Sequence, residues 1–335
     1  MQSPDGGLAF EDELDMGRAR YARTAALRLL HKYSFGFALL LTLTLLVINL
    51  IRTPDFGWSN QLANFAPLAL AAMASTPSII SGGGGFDLSI SPLMIMTSAV
   101  FIVWLVPAGL GGAVAVPILL AIAAGVGLLN GLLIILLRIP PVVVTLSMYF
   151  ILIGVNLKIV SSPESVATTW LQRLAESFGP VPGALFLIGF PIVVWALLGL
   201  IPYRSMLYAV GSNDATAFSG GVNVAAIRVI AYGLGGLFAG VGGLAVIAIS
   251  SSASASLSTT YALQAIAAVA LGGTSLWGGR GGIFGSLLGA ASIYLLGTLL
   301  ITLQVTPSWL QVMYGCMLLL AVVLVSVAAR TRRIA

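Results

Sequence analysis

Apolar runs, each close to the length of a membrane crossing, alternate with short polar connections along most of this chain. The runs lie at 34–51, 62–80, 87–106, 113–137, 141–160, 184–201, 227–249, 261–276, 281–303 and 308–329. A helix needs ~20 apolar residues to cross the hydrocarbon layer, and none of the runs has the period-two alternation of a membrane β-barrel strand. The pattern predicts an all-α, polytopic transmembrane helical bundle of about ten spans. Roughly nine or eleven spans are the alternatives, because the eighth run is short and ends in glycine.

Composition supports this fold class. Of the 335 residues, 59% are hydrophobic and only 7% are charged, whereas a soluble domain carries roughly a quarter charged residues. So few ionised groups cannot cover the surface of a protein of this length, which excludes an aqueous globular enzyme. The single cysteine, Cys316, and the single histidine, His31, exclude a disulfide framework and a zinc or iron site built on soft ligands. We therefore expect no metal site.

The distribution of basic residues predicts the orientation. With the N-terminus inside, only Arg52, Lys158 and Arg173 of the 15 Lys and Arg residues fall in outer loops. The inner set is Arg18, Arg20, Arg23, Arg28, Lys32, Arg138, Arg204, Arg228, Arg280, Arg330, Arg332 and Arg333. This bias favours an even number of spans with both termini cytoplasmic, and it accounts for the net charge of +5 without nucleic acid as a partner.

The domain organisation follows from this topology. We expect a cytoplasmic N-terminal segment at 1–33, a transmembrane domain at 34–329 and a cytoplasmic tail at 330–335. The first apolar run lacks the small-residue cleavage site of a signal peptide, so we interpret it as a retained span.

Two glycine-rich segments interrupt the apolar pattern, SGGGGFDLSISP at 81–92 and LGGTSLWGGRGG at 271–282. Non-helical backbone at membrane depth is tolerated only where protein buries it or a wet cavity adjoins it, and broken helices form substrate sites in transporters. Asp87 is the only acid inside the apolar runs. It is a candidate functional residue, or it caps a helix that begins at Asp87; we favour the cap.

Two long connections carry further predictions. In the outer loop at 161–183, Pro163 suits a first helical turn, and Trp170 begins a set of apolar residues near one face, completed by Leu171, Leu174 and Phe178. An interfacial helix is one interpretation; a docking surface for an external partner, with Glu164, Arg173 and Glu176 on its polar side, is the other. The inner loop at 202–226 is polar and helix-capable around 214–218. It either transmits force from a soluble partner or is a plain connector.

Catalytic motifs are missing from the sequence. Neither Lys32 nor Lys158 has the spacing of a phosphate-binding loop, and no H-E-x-x-H or G-x-S-x-G motif occurs. A proton-driven carrier needs several intramembrane acids or histidines, and one aspartate is few for that purpose. These observations predict a passage-forming subunit without catalytic residues or cofactors, whose energy comes from another chain.

Four segments resemble one known family, the ribose-type permeases of bacterial ATP-binding-cassette (ABC) importers, which take sugars or autoinducer-2-like solutes and belong to the branched-chain amino-acid/ribose permease superfamily. GGFDLSIS at 84–91 resembles their GG-[IF]-DLS-[VI]-G segment, and PPVVVTLSMYFILIGV at 140–155 resembles their PPF-[IV]-VTLG segment. AVGSNDATAFSGGVNV at 209–224 resembles A-[IV]-G-x-N-x-x-A-[ATR]-x-SG-[IV]-[NP]-V, and AIAAVALGGTSLWGGRGG at 265–282 resembles IAAVVLGG-[TA]-S-x-x-GG-x-G. The four segments occur in the family's order.

The resemblance implies a multi-pass permease domain of the bacterial inner (plasma) membrane, in contact with membrane lipid, that pairs with a second permease subunit as a homodimer or heterodimer. It also implies a cytoplasmic ABC ATPase that binds ATP and Mg²⁺, and a periplasmic solute-binding protein. Substrate-pathway candidates are Gly84, Gly85, Asp87, Ser89, Thr145, Ser147, Asn156, Gly272, Gly273 and Thr274. ATPase-coupling candidates are Gly211, Asn213, Asp214, Ser219, Gly220 and Asn223.

The solute expected from the resemblance is a neutral sugar or a sugar-like compound. The chain departs from the family pattern at Ser147, where glycine is usual, and at 261–264, where an acid is usual, which argues against ribose itself. A stand-alone facilitator or a proton-coupled carrier for a small polar solute is the alternative function.

Overall fold

Most of the apolar runs fold into helices in a computed structural model, which describes residues 36–160, 164–165, 170–259, 261–306, 309, 312–316, 319 and 323. The helices are α1 (Gly36–Arg52), α2 (Trp58–Ile80), α3 (Ile90–Val100, continued by a π-helical turn at Phe101–Leu105), α4 (Ala115–Leu137), α5 (Pro141–Ile159), α6 (Ala184–Leu197), α7 (Tyr203–Ser212), α8 (Asp214–Ser219), α9 (Val224–Ser250), α10 (Ala262–Leu271) and α11 (Ile283–Thr302). In the described part of the chain, five helices are long and apolar enough to cross a membrane, namely α2, α4, α5, α9 and α11.

The all-α membrane fold predicted from the sequence is confirmed at this level. Four shorter apolar helices, α1, α3, α6 and α10, occupy further predicted runs. The tenth run, 308–329, lies mostly outside the described residues, and so do the segments 1–33 and 330–335. The span count of about ten and the sides of the termini remain predictions.

Helices α2 and α9 form the centre of the bundle. Helix α9 packs against α2, α3 and α4, and it does so through glycines that let the backbones approach closely, as helix interfaces in lipid require. A Cβ atom on Gly236 would lie 2.2 Å from the Ala123 carbonyl oxygen of α4, and one on Gly235 would lie 2.9 Å from the Ala74 oxygen of α2. Small residues therefore hold three helices around α9.

The outward faces of α4 and α5 are apolar. Only 33% of the most apolar stretch of α4 and 28% of that of α5 are buried within the chain, and Leu136 and Phe150 are among their exposed side chains. Such surfaces require lipid or another apolar protein surface as their neighbour.

The interfacial helix expected in the loop at 161–183 is wrong for the described part of that loop. Trp170–Leu174 forms a 3₁₀ turn, and a two-residue hairpin follows, in which β2 (Ser177–Phe178) pairs with β3 (Val181–Pro182). Strand β1 (Glu164–Ser165) pairs with β4 (Ser252–Ala253), far along the chain. Gly179 has a left-handed backbone conformation, at φ 62°, which forms the tight hairpin turn. A helix cannot continue through a residue in this conformation. Pro163 lies outside the described residues.

Two glycines on one helix provide a matched test of the packing around α9. A Cβ atom on Gly127 would lie 2.2 Å from the Tyr232 carbonyl oxygen, whereas one on Gly125 would meet no atom within 4 Å. We expect Gly127→Ala to lower stability by about 1–3 kcal/mol through overpacking. Gly125→Ala should instead raise it by up to about 1 kcal/mol, because alanine favours a helix. Thermal unfolding of both detergent-purified variants measures the direction of each change in stability. Equal changes in the two variants would contradict the close packing of Gly127 on α9.

Candidate functional site

Two interrupted helices meet end to end inside the bundle. Helix α3 begins at Ile90 after a non-helical segment, and α10 begins at Ala262, a short distance after a 3₁₀ turn at Ala255–Thr259. Helix α10 has only 10 residues, or ~15 Å at 1.5 Å per residue. The Tyr261 backbone N–H, at the start of α10, donates to Ser91 Oγ in the first turn of α3 at 3.1 Å. The N-terminal ends of the two helices therefore lie together, an arrangement that forms substrate sites in transporters with discontinuous helices.

Side chains of α5 bind both the stretch of chain that leads into α3 and the first turn of α3 itself. Thr145 Oγ1 donates to the Phe86 carbonyl oxygen at 3.0 Å, and Asn156 Nδ2 donates to the Pro92 carbonyl oxygen at 2.9 Å. Thr145 and Asn156 are both buried and are separated by ~16 Å along the helix. The non-helical backbone at 86–89 is thus enclosed by protein, as the lipid environment demands.

Asp87 lies in the turn ahead of α3, and the expectation that the helix begins at Asp87 is wrong. Its Oδ1 accepts the Ser89 N–H at 3.0 Å and the Ser89 hydroxyl at 2.6 Å. Asn130 Nδ2 of α4 donates to the same hydroxyl at 2.9 Å, and all three residues are buried. The carboxylate shapes the turn that starts the helix, and the helix proper follows from Ile90.

Three glycine-containing segments meet backbone against backbone: the chain just after α2, the end of α7 and the loop ahead of α11. A Cβ atom on Gly211, near the end of α7, would lie 1.8 Å from the Ile80 oxygen and 2.5 Å from the Gly279 nitrogen; one on Gly278 would lie 2.5 Å from Gly82 Cα. The Gly279 N–H donates to the Ile80 oxygen at 3.0 Å. We call the contact of Gly82, Gly211, Gly278 and Gly279 the glycine junction.

Polar side chains reinforce the glycine junction. The Tyr208 hydroxyl of α7 donates to the Gly281 carbonyl oxygen at 2.7 Å. Burial raises the pKa of Tyr208 above its ordinary value. On the other side, the Arg228 guanidinium bonds Asp214 Oδ2 at 3.1 Å and the Ser81 carbonyl oxygen at 3.5 Å. Helices α7 and α8 are therefore tied to both glycine-rich segments.

The coupling candidates divide into one residue of the glycine junction and several that shape the loop itself. Gly211 belongs to the junction. Asn213 and Asn223 cap α8 and α9 by accepting the Thr216 and Ala226 N–H groups, each at 3.0 Å. The remaining candidates act locally: Asp214 pairs with Arg228, Ser219 donates to the Ala215 oxygen, and Gly220 ends α8. The helix expected around 214–218 is confirmed, and a second helix, α7, precedes it.

Other pathway candidates lie away from the hydrogen bonds of Asp87. Gly272, Gly273 and Thr274 form the corner between α10 and α11, where the Thr274 hydroxyl accepts the Gly282 N–H at 3.2 Å. Ser147 faces outward on α5 and donates to the Val143 oxygen of its own helix at 2.8 Å. Gly84 has open space around it, and Gly85 packs closely on the Ser78 oxygen. The expected non-helical backbone at Gly83–Ser89 and Gly272–Thr274 is confirmed.

Sequence reasoning missed several residues at the meeting point of α3 and α10 and at the glycine junction: Gly82, Ser91, Asn130, Tyr208, Tyr261, Gly278 and Gly279. Asn130 carried a usable signal, since an amide in the middle of the apolar run 113–137 needs a hydrogen-bond partner in a membrane. The glycines carried none beyond their clustering, because their glycine partners lie 67 (Gly211 and Gly278) to 196 (Gly82 and Gly278) residues away in the sequence.

Known proteins resemble the chain over most of its length. A family model described as "Branched-chain amino acid transport system / permease component" matches residues 57–322. The ribose import permease protein RbsC of Escherichia coli (strain K12) is 33% identical over 296 residues, which cover 85% of this chain and 91% of that protein. The fructose import permease protein FrcC of Rhizobium meliloti is 29% identical over 274 residues, which cover 78% and 75%. No solved structure matches the chain.

The bonds of Asp87 predict different effects for two substitutions of similar size. Asp87→Asn keeps an oxygen that accepts the Ser89 N–H and hydroxyl, so we expect near-normal stability. Asp87→Leu leaves those buried donors unpaired and should cost about 1–3 kcal/mol. Thermal unfolding of the purified protein measures both. Equal loss in the two variants would show that the charge, and not the accepted hydrogen bonds, is what the fold requires.

Proposed function

This chain belongs to the family of branched-chain amino acid transport permease components, and from that premise we propose that it is the membrane subunit of an ABC importer for a neutral sugar or sugar-like solute. As a member of that family it is a non-catalytic, multi-pass component of the bacterial inner membrane. The relatives are named for the import of ribose and fructose, and one from Salmonella typhimurium for galactose and methyl galactoside. Those names support a sugar as the solute of this chain.

The chemistry of the spans supports an uncharged solute. Asp87 is the one acid within the described apolar helices and the segments that interrupt them, and its Oδ1 already accepts two hydrogen bonds. Apart from Arg52, Lys158 and Arg228 near helix ends and Arg280 in the second glycine-rich segment, the remaining polar side chains there are mainly hydroxyls and amides, such as those of Ser91 and Asn156. Such groups exchange hydrogen bonds with a sugar in passing, and a charged solute would require a counter-ion.

The glycine junction is the observation on which the proposed mechanism depends. An ATPase that binds and hydrolyses ATP with Mg²⁺ on the cytoplasmic side would push or pull on α7 and α8. Because Gly211 lies against Ile80 and Gly279 without intervening side chains, that displacement passes directly to the segments preceding α3 and α11. Helix α3 begins close to the start of α10, to which it is hydrogen-bonded, so movement at the junction would change the separation of the two helix ends.

The complete assembly we propose has ten spans with both termini in the cytoplasm, a second permease subunit, a cytoplasmic ABC ATPase and a periplasmic solute-binding protein. The exposed apolar faces of α4 and α5 support contact with lipid or with the second subunit. Selectivity would then reside mainly in the binding protein.

Reconstitution separates this proposal from a stand-alone facilitator or a proton-coupled carrier. Proteoliposomes with the permease alone, or with its co-purified ATPase and the binding protein, are tested for uptake of labelled ribose, fructose and galactose. We expect uptake only with all three components and ATP, and no effect of a protonophore. Uptake by the permease alone would support the facilitator, and uptake that follows a pH gradient would support the carrier.

Two glycines of the inner loop provide a matched test of coupling. Gly211→Ala places a methyl group against the Ile80 oxygen, whereas Gly220→Ala would meet its nearest atoms at an ordinary 3.4 Å. We expect Gly211→Ala to lose most ATP-driven uptake while the protein still inserts, and Gly220→Ala to retain it.

Uptake and ATPase activity are measured on the same preparations, together with the amount of inserted protein. Normal uptake by Gly211→Ala, or an equal loss in both variants, would contradict the proposed role of the junction.

A further inference from the structure

A basic cavity opens beside the glycine junction. It has a volume of about 430 Å³ and lies between the ends of α2 and α4, the start of α5 and the first turns of α9. Its polar lining consists of the Ser81–Gly83 backbone, Arg138, Arg228 and Tyr232. The bonds of Arg228 to Asp214 and Ser81 reinforce the glycine junction, but the mechanism proposed above gives the cavity itself no role.

The charges around this cavity favour an anion. Arg138 follows α4 in the left-handed region at φ 54°, and its exposed side chain forms no salt bridge with any described residue. The Arg228 guanidinium lies against Gly83, with Nη2 3.0 Å from the position of a Gly83 Cβ atom. Its partner Asp214 is 55% exposed, and such a pair is weak. Two guanidinium groups therefore line the cavity, and the one salt bridge among the described residues there joins Arg228 to a solvated carboxylate.

Neutral donors at the cavity also lack partners. Tyr232 is 1% exposed, and its hydroxyl is buried without a hydrogen-bond partner among the described residues, although buried hydroxyls are ordinarily paired. The Gly83 N–H likewise donates to no described residue. These donors and the two arginines provide what a phosphate group requires, namely positive charge and several hydrogen-bond donors.

Apolar surface next to the cavity identifies the occupant as a lipid. Ile134, Ile135 and Ile139 complete its lining. Just outside it, Leu136 and Leu137 of α4 are 73% and 57% exposed, and Val143 of α5 is 51% exposed. A free phosphate makes no use of such a surface, whereas acyl chains pack on it. Basic pockets between membrane helices on the cytoplasmic side are suited to anionic headgroups.

We propose that this cavity binds the phosphate of an anionic phospholipid from the cytoplasmic leaflet, with the acyl chains along the ends of α4 and α5. The phosphate would hold Arg228 against Ser81–Gly83 and so stabilise one side of the glycine junction. Anionic lipid would then act as a structural ligand of the element that receives force from the ATPase.

Native mass spectrometry of the full-length permease, titrated with phosphatidylglycerol or phosphatidylcholine, tests this proposal. We expect the wild type to retain phosphatidylglycerol in preference to phosphatidylcholine. The double variant Arg138→Gln/Arg228→Gln should bind phosphatidylglycerol at least about tenfold more weakly than the wild type. Arg280→Gln removes an exposed charge outside the cavity and serves as the matched control. Tyr232→Phe, which removes only the unpaired hydroxyl, should weaken binding by a smaller factor.

Three outcomes would overturn the proposal. One is equal loss in Arg280→Gln, which would indicate general surface charge. Another is displacement of the lipid by millimolar inorganic phosphate, which would indicate a free-anion site. The third is unchanged lipid binding with weakened ATPase binding in the double variant, which would indicate a protein contact. If the double variant does not fold, Arg138→Gln alone provides the test, because its exposed side chain has no packing role, and it must reduce phosphatidylglycerol binding.

Discussion

Contact between backbones at Gly82, Gly211, Gly278 and Gly279 is the constraint on which this end of the helical bundle depends. Side chains normally separate packed elements and absorb small displacements by changing rotamer. Here the Gly279 N–H reaches the Ile80 oxygen directly at 3.0 Å, and a single methyl group on Gly211 would not fit. Because packed interiors deform little, α7 cannot move far without moving both neighbouring segments.

Close backbone packing at glycines also determines the interior of the bundle. Glycines along α9 let α2, α3 and α4 surround it closely, which builds a stiff frame. Within this frame, individual hydrogen bonds hold α3 and the segment ahead of it. Thr145 and Asn156 donate to the Phe86 and Pro92 oxygens, and the Tyr261 N–H at the start of α10 donates to Ser91 Oγ. A stiff frame around a few breakable bonds is suited to a passage that opens and closes while the fold persists.

Local pattern predicted the helices well and long-range contacts poorly. The run at 141–160 became Pro141–Ile159, since uninterrupted apolarity of spanning length has one stable solution in lipid. The run at 261–276 became only Ala262–Leu271, because its glycines end the helix in a corner against Gly285. The grouping of Asp87 with Ser89, Thr145 and Asn156 followed from the motifs, but the partner of Gly211 did not. That contact depends on how distant helices cross, and no local period encodes it.

In this account α7, α8 and the two glycine-rich segments move as one body. Cryo-electron microscopy of the complete complex, without nucleotide and with bound ATP, tests it most directly. The quantity to measure is the distance between the Gly279 nitrogen and the Ile80 oxygen, 3.0 Å here, together with the contact of Gly211. We predict that both persist in the two states while the separation between the N-terminal ends of α3 and α10 changes. Separation of Gly211 from Ile80 and Gly279 in either state, with transport intact, would contradict the account.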